Sequence, residues 1–225
     1  MKKIIKDIYH HFEKIGSKIF FEKYFIEKEI RLIRNLAKDC ETILELGAGQ
    51  NSYYHVPGRK YKITGFDIYE PSLIKAKENG KIDDYIVGNV LDIGQIFNED
   101  SYDLVCAFDL IEHLKKNNGY ELIKNMEIIA RKRIVIFTPN GFLPQPPSED
   151  NPFQEHLSGW NYNEMVSLGF TVIGFNGHKI FRGMYAKPKI RPYFLGIFLA
   201  NISGWFLRKI NKEKYAFAIL CYKNI

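Results

Sequence analysis

Residues 43–54 read ILELGAGQNSYY. An apolar run at strand period leads straight into Gly47-Ala48-Gly49, and the polar run after it can open a helix. The stretch therefore predicts a strand, a tight glycine turn and a helix start. Two carboxylates frame the turn. Glu45 lies at the end of the strand, two residues before the first glycine, and Asp67 ends the next apolar run, YKITGFDIYEPS, eighteen residues after Gly49. Such a strand-to-helix corner is where α/β folds hold a nucleotide-containing cofactor.

Outward from this corner the pattern alternates. YKITGF (61–66), DYIVG (84–88), YDLVCAF (102–108) and RKRIVIFT (131–138) read as strands, with a helix begun by Pro71 and another over 120–130 between them. A helix over 162–168, a strand FTVIGF (170–175) and a last strand YAFAILCY (215–222) follow. Strands alternating with helices predict βαβ units with right-handed crossovers, and runs such as LVCAF and IVIF suit strands buried on both faces. The fold class expected is α/β: a Rossmann-like, seven-stranded, mostly parallel sheet with helices on both faces. An N-terminal helical extension and a C-terminal helical insertion before the last strand complete it.

The glycine corner with Asp67, and the run YDLVCAFDLIEHL (102–114), resemble the class I S-adenosylmethionine (SAM)-dependent methyltransferases over about residues 40–180. The strand order of the sheet is taken from that resemblance. SAM carries no pyrophosphate, so its site needs acceptors and close backbone approach more than an anion hole. The resemblance implies that Gly47, Ala48 and Gly49 pass close to the cofactor, and that Asp67, with Ile68 beside it, meets the ribose. Glu45 either accepts from the cofactor amino group or orients the loop. Ser52 stands where a dinucleotide fingerprint has its third glycine, which counts against NAD or FAD. VGNVLDI (87–93) looks like the adenine-flanking segment, with Asn89 in place of a frequent Asp and Asp92 either beside the exocyclic amine or serving as a helix N-cap. Phe108 offers the sulfonium an apolar or π wall, or simply packs in the core.

The acceptor end is expected beyond the fourth strand. Asp109, His113 and His156 are the candidate catalytic residues, because an acceptor hydroxyl must lose a proton and an imidazole titrates near neutrality. A bracing hydrogen bond is the alternative role for His113, and a structural turn the alternative for His156. No metal is assigned. Asp109, Glu112, His113 and His156 nevertheless resemble the metal-binding set of small-RNA 2′-O-methyltransferases, with Asp109 in place of the first Glu. The long loop TPNGFLPQPPSEDNPFQEH (138–156), with five prolines, is expected to close over the acceptor.

Composition sets the remaining expectations. At 225 residues, 46% hydrophobic and 26% charged, the chain reads as an ordinary soluble globular protein. Cys40, Cys106 and Cys221 have no ligand spacing and read as buried free thiols in a reducing compartment. The N-terminus lacks the continuous apolar core of a signal peptide, so a cytoplasmic location is expected. Ile4, Ile8, Phe12, Ile15 and Ile19 form one helical stripe, a second helical stretch runs from Glu22 to Ala37, and His10 and His11 read as surface residues. Residues 1–40 are expected to pack on the sheet or cap the site, and 41–225 to form the methyltransferase domain, with an acceptor loop at 139–165 and a basic, apolar insertion at 188–210.

The formal net charge is +6, and residues 179–225 hold ten Lys/Arg against Glu213 alone. Within that region PYFLGIFLANISGWFL (192–207) carries no charge and is too short to span a bilayer. Phe194, Leu195, Phe198, Ile202, Trp205 and Phe206 share a helical face, read as core, as a dimer contact, or as a peripheral membrane contact through 190–209 at the inner face. The function expected is SAM-dependent transfer of a methyl group to a small-molecule acceptor, on an oxygen of a sugar or lipid-linked intermediate. Metal-assisted RNA 2′-O-methylation and a non-catalytic SAM-binding partner protein are the alternatives. Nucleic acid is the less expected partner, since the basic end lacks aromatic-interleaved binding motifs.

Overall fold

The computed structural model describes residues 21–147 and 152–225; the first helical stripe and His10 and His11 lie outside them. The chain divides into two compact units. One takes Ile33–Val172 with Ile219–Ile225, and the other Ile173–Ala218 with the N-terminal segment up to Leu32. The insertion thus groups with N-terminal sequence rather than with the cofactor half.

Helix α1 (Phe21–Asn35) leads to strand β1 (Thr42–Leu46), in which Ile43, Leu44 and Leu46 are all fully buried. Continuous burial on successive residues is what a strand covered on both faces requires. Strands β2 (Lys62–Asp67), β3 (Asp84–Val87), β4 (Tyr102–Phe108) and β5 (Ala130–Pro139) follow, joined in turn by helices α2 (Glu70–Glu78), α3 (Ile93–Ile96) and α4 (Lys116–Ile129). Strands β6 (Thr171–His178) and β7 (Ala216–Asn224) complete the sheet, with α5 (Tyr162–Ser167) before β6 and α6 (Tyr193–Lys209) between the two strands. The seven-stranded mixed sheet runs in the order β3-β2-β1-β4-β5-β7-β6, and every pair from β3 to β5 is parallel. Leu122, Met126 and Ile129 of α4 meet Leu44, Val105 and Ile134 in the main core.

The strand order reverses at β1, which pairs with β2 on one side and β4 on the other. Ligands of open α/β sheets bind outside the carboxyl ends of the strands at such a switch point. Gly47 and Asp109 follow directly on those two ends, so the topology sets the glycine turn beside the FDLIEH run.

One local expectation is corrected. No helix opens after Gly49: residues 47–61 run as turns among the described residues. Side chains take the backbone carbonyls that a helix would use, Arg34 bonding Tyr53 O at 3.0 Å and His55 O at 2.9 Å, and Tyr61 Oη bonding Tyr54 O at 2.7 Å. Pro57-Gly58 then blocks any continuation. Asp109 and His113 also do not share a helical face. Asp109 is left-handed at φ +48, residues Ile111–His113 form one 3-10 turn, and α4 begins only at Lys116.

Candidate functional site

A cavity of about 350 Å³ opens at the switch point. Gly47, Gly49, Asp67, Ile68 and Asn89 line one part, and Asp109, His113, Glu155 and Leu157 line another. Gly47 is left-handed at φ +66, and a Cβ there would meet Leu110 Cδ1 at 2.9 Å, so glycine alone fits the turn. At Gly49 a Cβ would find nothing nearer than Gly47 O at 4.0 Å, which leaves room for a ligand against bare backbone. Asp67 is aimed by its neighbours: Oδ2 accepts from Gly49 N at 3.1 Å and Oδ1 from Tyr69 N at 2.9 Å. Each oxygen keeps a second lone pair, which suits a ribose diol. Ile68 is half exposed on the cavity wall, as an apolar face for a purine must be.

Other expected cofactor residues lie elsewhere. Glu45 and Ala48 are buried and do not line the cavity. Burial pushes the Glu45 carboxyl up to about 8 against an opposing hydrogen bond from Ser52, and its Oε2 has no partner. Phe108 packs on Tyr53, Tyr54 and Phe137, with ring centroids 4.9, 5.8 and 6.5 Å away. Asp92 is exposed, stands at the N-cap of α3 without a side-chain capping bond, and does not reach the cavity. Asn89 lines the cavity while its Oδ1 accepts from Leu91 N at 3.0 Å.

The family model for the methyltransferase domain matches residues 44–133, the segment that holds the glycine turn, Asp67 and Asp109. Over these residues the chain is similar to methyltransferase domains. Solved structures share the fold of the chain. A SAM dependent methyltransferase from Archaeoglobus fulgidus is 14% identical, with a TM-score of 0.58 over 97% of this chain and 99% of that one. The methyltransferase domain of bacterial CtHen1 is 16% identical, with a TM-score of 0.55 over 89% of this chain and 100% of that one. The small RNA methyltransferase HEN1 is 14% identical, with a TM-score of 0.57 over 90% of this chain and 25% of that one. A comparison with curated proteins finds no match. The open backbone at Gly49 and the aimed Asp67 fit SAM as a cofactor.

Beside the Asp109 end of the cavity the chain gathers three groups. Glu112, His113 and His156 each bring a ligand atom within 4.8 Å of the others, and Asp109 is not part of that set. Glu112 is buried, with Oε2 accepting from Thr138 Oγ1 at 3.0 Å and Oε1 without a partner. His113 Nδ1 lies 2.9 Å from Glu155 O, and His156 Nδ1 lies 2.7 Å from Leu143 O. A carbonyl only accepts, so each neutral ring carries its proton on Nδ1 and offers a lone pair at Nε2. Burial holds both imidazoles below their ordinary range; His156 adds to this at His113, while carbonyls of Glu155 and Asp109 oppose it there and Leu143 opposes it at His156. Burial raises the carboxyls of both Asp109 and Glu112, and the Asp109 charge raises Glu112 further. Asp109 is open to the cavity yet surrounded by protein, which is how one carboxyl can be both accessible and desolvated.

Sequence reasoning missed what holds this group together. The Trp160 ring is fully buried, its Nε1 donating to Ser158 Oγ at 3.0 Å, and Lys116 Nζ lies 3.4 Å from the ring centroid. A Cβ on Gly119 would meet Trp160 Cζ2 at 2.3 Å, so that glycine in α4 makes room for the indole. Phe153, Gln154, Glu155 and Leu157, from the Pro-rich connection, line the cavity. The only signal for Thr138 was its place at the end of an apolar strand run.

Proposed function

We propose that the chain is a metal-assisted O-methyltransferase whose acceptor is a sugar hydroxyl, free or lipid-linked. The gathering of Glu112, His113 and His156 carries this reading. Two imidazole lone pairs and a buried, unpartnered carboxylate oxygen this close repel one another unless a proton or a metal ion lies among them, and three donors converging suit the ion. Metal-ligating histidines donate their other N–H to a carbonyl or carboxylate, as both rings do here. Mixed imidazole and carboxylate donors suit a first-row divalent ion, and this cluster is the reason to place one where the sequence assigned none.

Bound SAM supplies the electrophilic methyl group. A divalent ion, when bound, supplies a Lewis acid that polarises the acceptor hydroxyl. The chain's own groups do the rest. Asp67, held by the amides of Gly49 and Tyr69, fixes the ribose, which aligns the reacting carbon for displacement. His113, the member of the cluster that lines the cavity, positions the acceptor oxygen. Asp109, also on the wall and with its carboxyl raised by burial, takes the hydroxyl proton.

An RNA ribose is a second reading. It is favoured by the likeness of the cluster to the small-RNA 2′-O-methyltransferase set and by the fold shared with HEN1. The test is transfer of labelled methyl from SAM to a panel of free sugars, lipid-linked sugars and short RNAs, with Mn²⁺ or with chelator. Label on sugars only in Mn²⁺ supports the first reading, and label on RNA the second. Transfer that chelator leaves unchanged contradicts metal assistance.

A further inference from the structure

Helix α6 is built inside out. Its inward face is small: Gly196, Ala200 and Gly204 are buried, and Gly177 of β6 approaches so closely that a Cβ on it would meet Ala200 O at 1.9 Å. Polar bonds lock this face down, with Ser203 Oγ accepting from His178 N at 2.8 Å and Arg208 Nη1 donating to Gly174 O at 2.9 Å. Leu207 is buried beside this small face, but four other bulky apolar side chains point the other way. Leu195, Ile202, Trp205 and Phe206 are 39 to 52% exposed and fall along one stripe of the helix; the Phe194 side chain lies outside those described. An ordinary surface helix buries its large apolar residues and turns polar ones to water. Here Leu195, Ile202, Trp205 and Phe206 face water instead, so the outer stripe is shaped to meet another apolar phase.

Cations bracket the stripe. Lys187, Lys189 and Arg191 are exposed before the helix, Lys209 at its last residue and Lys212 after it. Arg191 lies 5.0 Å from the Tyr193 ring centroid, and Lys209 Nζ lies 5.2 Å from that of Trp205, so an aromatic–cation pair stands at each end. A second copy of this chain would bring like charges together at both ends. An anionic surface would be attracted to them instead. No helix among the described residues is long and apolar enough to cross a membrane.

We propose that the outer face of α6 lies in the interfacial layer of an anionic bilayer, with Leu195, Ile202, Trp205 and Phe206 among the acyl chains and the flanking lysines on lipid phosphates. This inference is independent of the acceptor and of the metal cluster.

The experiment is flotation of the full chain with vesicles of phosphatidylglycerol and phosphatidylcholine, against phosphatidylcholine alone. The wild type is expected to float with the anionic vesicles at least tenfold more than with neutral ones, and to lose most of this in 0.5 M salt. Trp205→Ser with Phe206→Ser abolishes flotation, and Lys209→Gln with Lys212→Gln lowers affinity about fivefold per cation removed. Unchanged SAM affinity shows that the variants are folded. Absence of flotation, or flotation that the Trp205→Ser, Phe206→Ser variant retains, overturns the proposal. Two further outcomes also overturn it: a dimer in light scattering that the variant dissolves, with no flotation, assigns the face to a second copy. A monomer that does not float and shields Trp205 from acrylamide assigns it to another segment of the chain.

Discussion

His113 and His156 meet edge to face, with ring centroids 4.8 Å apart and planes at 76°, although α4 and β5 separate them in sequence. The backbone carbonyl of Glu112 makes the meeting possible. It accepts from Leu157 N at 2.8 Å and from Ser158 N at 3.0 Å, which pins the residue before them, His156, beside the Glu112 carboxyl. The cluster is thus fixed by main-chain bonds, with the buried Trp160 anchoring the same loop.

Thr138 orients Glu112 through a single hydrogen bond to Oε2. Loss of such an outer partner costs about 10–100-fold in metal affinity. Thr138→Val is expected to weaken Mn²⁺ binding by that factor in calorimetry, with the circular dichroism spectrum unchanged.

Metal affinity should rise with pH. Burial and then the Asp109 charge raise the Glu112 carboxyl, so below that raised value an incoming ion must displace its proton. Both imidazoles are held below their ordinary range and are neutral around pH 7, so Glu112 sets the slope there. Mn²⁺ titrations at successive pH values are expected to gain up to about tenfold per unit until Glu112 is ionised, then level off. A flat profile would place Glu112 outside the ligand set.

Asp67→Ala should weaken SAM by about 1–3 kcal/mol, the cost of losing charge-assisted hydrogen bonds. The same change frees the amides of Gly49 and Tyr69, so the loss includes a looser turn. Calorimetry with SAM measures it, and unchanged affinity would refute the placement of the ribose.

Asp103, far from the cavity lining, tests the framework. Its buried carboxylate accepts from Glu41 N at 2.7 Å and pairs with Arg131 at 2.9 Å and Lys132 at 3.4 Å. Burial opposes ionisation, but the Glu41 amide and Lys132 outweigh it and hold the carboxyl below its ordinary value. A depressed folded pKa contributes stability above the unfolded value of about 3.9 and loses it as pH falls through the folded one. Asp103→Ala is expected to cost about 1–3 kcal/mol in urea unfolding at pH 7. That cost should shrink under strongly acid conditions.

Much of this was legible in sequence because the signals were local. Gly47-Ala48-Gly49, Asp67 and YDLVCAFDLIEHL each carry their meaning within a few residues, and the buried runs gave β1, β4 and β5 nearly to the residue. Cys40, Cys106 and Cys221 are buried and free, as their settings predicted. What stayed hidden depends on contacts between distant segments. Nothing in the local sequence announces that Leu157 and Ser158 bond to Glu112, or that Phe108 turns to Tyr53 and Tyr54. The missing helix after Gly49 has the same origin, since Arg34 takes the carbonyls from outside that segment. Residues 192–207 disclosed an apolar helix, but only its packing on Gly177 reveals that the small face points inward.

On the proposed reading, Glu112, His113 and His156 together hold one divalent ion. Electron paramagnetic resonance of Mn²⁺ titrated into the wild type and into Glu112→Gln, both confirmed to bind SAM, tests it most directly. The account predicts one saturable site per wild-type chain, lost in the variant. Absence of bound Mn²⁺ in the wild type, or equal binding by Glu112→Gln, would contradict it.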